Sequence, residues 1–237
     1  MRIKILLLLF TAVILFSAKG FSQSVGANLT IGLPQGEFKE NVDRTGWGFS
    51  GHFLFLPQTE RSPFSIGLNV GFINYGSESR NERFSITIPD VTVDVDRSNN
   101  LVNFHVVMQF LFQTGMIKPY VEGLFGGSYL WTETSVKSRG YIDEVASSTN
   151  FDDFAWSYGG GGGFLILLSS NDDGDEISSI YLDLKARYLA GSEAEYLKEG
   201  SVTLENGYAI LHPSKSKTDL LTIHAGVVIE FNSLFAN

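Results

Sequence analysis

Cysteine is absent from the 237 residues. Its absence excludes disulfides, thiolate metal sites and a lipidated cysteine near the N-terminus, and leaves an oxidising compartment open without requiring one. Basic residues are scarce, with 17 Lys and Arg against 26 Asp and Glu and a formal charge of −9. A basic nucleic-acid face cannot be assembled from that balance, so no nucleic-acid partner is expected. After the N-terminal segment no apolar run is long enough for a transmembrane helix. Proline is rare, whereas 25 glycines and 19 phenylalanines favour β structure.

The first residues, MRIKILLLLFTAVILFSAKGFSQ, carry Arg2 and Lys4, an apolar run from Ile5 to Phe16, and then small residues. This is the pattern of a secretory signal peptide, expected over residues 1–22, with Gly20 and Ser22 ahead of a cleavage point at Gln23. Residues 23–237 then form one exported domain.

Within that domain apolar residues recur with period two. Phe64, Ile66, Leu68, Val70 and Phe72 alternate with Ser65, Gly67, Asn69 and Gly71. Ile180, Leu182, Leu184, Ala186 and Tyr188 alternate with Tyr181, Asp183, Lys185 and Arg187. Similar runs begin near Val25, Trp47, Leu101, Tyr120, Ala155 and Leu221, so eight strands are expected. The connections are alternately long and short, the parity of a barrel crossing an outer membrane with short periplasmic turns and four long outer loops. If the first strand runs outward, Trp47, Trp131 and Trp156 fall at the outer interface, and Tyr120 and Phe231 mark the inner one as an aromatic girdle.

The signal, the eight alternating runs, the opening VGANLTIGLPQGEF and the final strand GVVIEF resemble the small eight-stranded outer-membrane barrels of Gram-negative bacteria, the OmpA/OmpX type. The resemblance implies an all-β, up-and-down antiparallel transmembrane barrel in the outer membrane. Outer-membrane lipid and lipopolysaccharide would surround it, and barrel-assembly machinery would act during biogenesis.

Read as such a barrel, the sequence makes further demands. The lumen receives Glu122, Asp183, Lys185, Arg187 and Glu230, with Asn103 and Gln109, and buried charges must pair. His52, His105 and His224 share the inward parity. Hydrogen-bonded lumen histidines are expected there in preference to a zinc or copper site, so neither metal nor cofactor is expected. The stretch FAWSYGGGGGFLILL directs Gly159, Gly161 and Gly163 inward, where they would make room for large neighbours such as Tyr181, Lys185 and Arg187. PDVTVDVDR, residues 89–97, reads as part of a projecting hairpin, and NDDGDE, residues 171–176, as a polar turn. His212 and Ser214 in LHPSKS do not carry the His-x-Ser pattern of lipid A deacylases, because Pro213 and a loop position stand in the way.

A non-enzymatic surface protein working through its long loops, with an unknown surface ligand or protein partner, is therefore expected. The alternatives are a small porin-like channel, an outer-membrane enzyme acting on lipid, and a soluble lipocalin-like carrier with the parity reversed.

Overall fold

The computed structural model describes residues 23–55, 63–85, 88–112, 115–138, 144–171, 177–205 and 208–231. The expected signal peptide and most of the NDDGDE turn lie outside the described residues. Eight strands close into one antiparallel barrel, each paired with the barrel strands before and after it in the chain and the first paired with the last. They are β1 (Gln23–Pro34), β2 (Gly46–Leu54), β3 (Phe64–Ser85), β4 (Ile88–Leu111), β5 (Ile117–Ser138), β6 (Glu144–Ser170), β7 (Ile177–Gly191) and β12 (Leu220–Phe231). Closure pairs the first strand with the last, from Gln23 with Phe231 to Pro34 with Leu220, so none of the eight is left as an edge along the barrel wall. Between β7 and β12 lie two small hairpins: β8 (Glu193–Tyr196) with β11 (Ser214–Lys217), and β9 (Val202–Glu205) with β10 (Tyr208–Leu211).

The strands differ greatly in length. β1, β2 and β12 have 12, 9 and 12 residues, close to the 9–11 needed to cross a bilayer. β3 to β6 have 22, 24, 22 and 27, so about half of each stands beyond the barrel as a projecting four-stranded sheet. Two of the expected long loops are therefore mostly strand. Residues 78–85 and 88–97 pair across the β3–β4 hairpin, which places PDVTVDVDR where the sequence suggested. There Val91, Val93 and Val95 alternate with Asp90, Thr92, Asp94 and Asp96, whereas residues 78–85 are largely polar in both alternating sets and contrast no face with the other.

The first outer connection contains a single short helix, α1 (Gly36–Asn41). Gly36 enters it at φ 52°, a left-handed conformation natural to glycine, and turns the chain back over the barrel mouth. Phe38 then points inward and is fully buried. It meets Tyr75 and Tyr196 edge-on at ring separations of 5.7 and 5.1 Å. Beneath these rings lies an apolar layer that includes Ile73, Leu101, Leu130 and Leu189. A second, smaller layer of Leu111, Tyr120, Leu165, Tyr181 and Val228 fills the end nearer the termini. Burying a side chain of Phe38's size contributes about 1.5–3 kcal/mol, so this cap is a genuine core.

Candidate functional site: the barrel interior and its two faces

Between the two apolar layers the lumen is polar. Parity alone sends Asp183, Lys185 and Arg187 of β7 inward with Glu122 of β5, and all four are buried. Arg187 holds Glu122 through the lateral edge of its guanidinium, with Nε to Oε1 at 2.6 Å and Nη2 to Oε2 at 3.1 Å. Its Nη1 donates to Asn69 Oδ1 at 2.8 Å. Lys185 donates to Asp183 at 2.7 Å, and the Tyr120 hydroxyl donates to the other oxygen of Asp183 at 2.6 Å. Two cations thus face two anions, which is the condition for burying any of them.

The glycine tract explains how these partners reach one another. Glu122 on β5 and Arg187 on β7 are not neighbours, because β6 runs between them. In register, however, Glu122 lies opposite Gly161, and Gly161 lies opposite Arg187. The row below reads Tyr120, Gly163, Lys185. A Cβ on Gly161 would stand 2.9 Å from Arg187 Cγ, and one on Gly163 would stand 2.8 Å from the Tyr120 hydroxyl. The middle strand carries no side chain so that those of its neighbours can join above its backbone. The inward glycines do make room for Lys185 and Arg187 as expected; Tyr181 sits opposite Leu167, outside the tract.

The same device recurs elsewhere. His105 on β4 reaches Ser157 on β6 at 3.1 Å over Gly126, and the His52 ring lies over Gly26. The three histidines are all buried but do not converge. His224 bonds Thr30 and Ser50 at 2.9 and 3.1 Å through Nδ1 and Thr222 through Nε2, while His52 Nδ1 lies 3.4 Å from Lys185 Nζ. Among the described residues no group of three His, Asp or Glu could hold a metal ion. Asn103 accepts from Ser128 at 2.6 Å, and Gln109 is buried on the same wall. Glu230 is only half-buried, near the terminal end of β12, and no ion pair joins it to the network among the described residues.

The outer wall is the inverse of the inner one. Leu29, Phe49, Val70, Phe125, Trp156 and Phe164 are all exposed. Below the row in which Asp152 pairs with Trp131, no outward position of β3 to β6 carries Asp, Glu, Lys or Arg among the described residues. A wall of that composition is solvated by hydrocarbon, not by water. The fold is an eight-stranded transmembrane β-barrel.

Trp47, Trp131 and Trp156 lie on this outer wall at the end away from the termini. Trp156 stacks on Phe125 at 5.9 Å and Trp131 on Tyr129 at 5.7 Å. The second girdle differs from expectation. Tyr120 does not belong to it: the side chain is 2% exposed and points into the lumen. Phe231 is on the outward line, and Phe64 and Phe110, in contact at 4.9 Å, supply the aromatic surface at that end together with Phe53 and Phe164. Tyr120 shares its parity with Glu122, so spacing assigns both to the inside. The cap of Phe38, Tyr75 and Tyr196 is not legible in the sequence, because its members come from α1, β3 and β8 with no common period.

No protein-family model matches the chain, and no curated protein matches it. Several solved structures are similar to it at low identity. Neisserial surface protein A has 11% identity and a TM-score of 0.39, over 89% of this chain and 96% of that one. Ail, the attachment invasion locus protein of Yersinia pestis, has 12% identity and a TM-score of 0.38, over 90% and 99%. The N-terminal β-barrel domain of Pseudomonas aeruginosa OprF has 11% identity and a TM-score of 0.35, over 88% and 97%. The architecture itself rests on the strand pairing and the inverted wall.

Proposed function

We propose that the chain is a non-enzymatic barrel of the bacterial outer membrane, closed to ions, which works through the surface carried by its far-end hairpins and loops. The observation that carries this reading is the filled lumen. Side chains bridge the wall over the glycine rows, apolar layers lie on both sides of that belt, and the cavity at its centre measures only about 10 Å³. A conducting path through eight strands would need those layers to part. Material not spent on a channel is instead spent on the projecting sheet, the α1 cap and the β8–β11 hairpin. Outer-membrane lipid and lipopolysaccharide contact the apolar wall in this reading, barrel-assembly machinery inserts the chain, and a surface ligand or protein engages the far end. His212 and Ser214 flank Pro213 at the β10–β11 junction, outside the eight barrel strands, and are given no catalytic role in this reading.

The test is single-channel conductance of the refolded protein in a planar bilayer, after a shift in gel mobility on boiling has verified folding. A folded, silent barrel is expected. Steady conductance that changes with Glu122→Ala or Arg187→Ala would replace this reading with that of a pore.

A further inference from the structure

The central cavity has one feature that the ion pairs do not use. His105 is 3% exposed, and its Nε2 engages Ser157, but its Nδ1 has no partner. A buried ring nitrogen without a hydrogen bond is rare in folded proteins and points to an unassigned ligand. His105 lines the cavity of about 10 Å³, together with Thr30, Ser50, Asn103, Arg187 and His224. That volume is one water and no more. The wall offers hydroxyls, an amide and imidazole nitrogens, so a water bound there finds the two to four partners it requires.

We propose that this chamber is a binding site for one ordered water, hydrogen-bonded to His105 Nδ1. The chemistry selects a neutral ligand. Arg187 is already neutralised by both oxygens of Glu122, which removes the attraction for an anion, and no carboxylate lines the chamber to hold a metal ion. With Nδ1 bound to water and Nε2 to Ser157, both ring nitrogens are engaged, and the imidazole is fixed in its bridge over Gly126. The water is thus the last piece of the β4–β6 crosslink. It exchanges only when the surrounding layers open, so its residence is long compared with surface hydration.

Magnetic relaxation dispersion of water in samples of the refolded barrel counts such long-lived waters. Wild type is compared with His105→Phe, whose ring occupies the same space without Nδ1. Loss of one long-lived water in the variant is the expected result, and equal dispersion from the two proteins overturns the proposal. Should His105→Phe fail to fold, diffraction from wild-type crystals decides: a peak about 2.7–3.2 Å from Nδ1 supports the site, and its absence removes it.

Discussion

Removing the Arg187 guanidinium is the most informative single perturbation of this barrel. Arg187 makes three hydrogen bonds, two to Glu122 and one to Asn69, and the ion-paired side chains are 2% and 1% exposed. Arg187→Met preserves much of the volume but leaves the Glu122 carboxylate buried without a partner. Breaking such a pair from one side costs about 3–5 kcal/mol. Glu122→Leu alone leaves the guanidinium stranded and costs a similar amount. The double variant strands neither charge, and replacing a buried pair by apolar groups is often neutral or stabilising, by up to about 1–4 kcal/mol. The two single losses should therefore fail to add, with a coupling of several kcal/mol. Guanidinium unfolding in lipid vesicles, followed through the fluorescence of the lipid-facing tryptophans, measures all four corners of the cycle. A loss below about 1 kcal/mol for Arg187→Met would refute the reasoning, as would a double variant as unstable as the two singles summed.

Gly161→Phe should block folding, because even a Cβ there collides with the Ala186 carbonyl oxygen; Gly123→Ala, with nothing within 4 Å, should fold normally, and gel mobility before and after boiling reads both. Phe38→Ala should lower stability by about 3–5 kcal/mol while the barrel still closes, measured by unfolding in the same vesicles. Leu184→Arg, on the outward wall, should cost about 2–4 kcal/mol if that wall faces the bilayer midplane, and a loss near zero in the vesicle unfolding assay would argue against burial in lipid.

Much of this architecture is legible in the sequence, because a half-buried strand writes its two faces in alternate letters. Phe64 to Phe72 and Ile180 to Tyr188 declare both the strand and its orientation. The inward placement of Glu122, Asp183, Lys185 and Arg187 follows from that parity without knowledge of their distances. Which of them meet is not legible. Glu122 and Arg187 lie 65 positions apart on strands that do not touch, and only the register through Gly161 brings them together. Tyr120 was legible, but an aromatic at a strand end suggests a girdle, and that expectation overrode its shared parity with Glu122. Helix α1 is six residues long, too short for a periodic signal, and its importance lies in Phe38 alone. Outside the valine–aspartate alternation of residues 90–96, which reads as a hairpin, the projecting strands are largely polar on both faces, so they read as loops.

The run of five glycines poses a problem for a chain that must find one alignment among several. Side chains normally tell a strand which residue of its neighbour to face, and here the central strand is silent at five successive positions. Sliding β6 by two residues, so that Gly159 and Gly161 replace Gly161 and Gly163, would keep an inward glycine beneath each bridging pair and alter little at the tract itself. The information that forbids the slip must come from either side of it. Ser157 is held by His105 above the tract, and Leu165 is anchored in the lower apolar layer. The wall is read at its punctuation marks, and the tract between them can remain blank only because those marks are fixed.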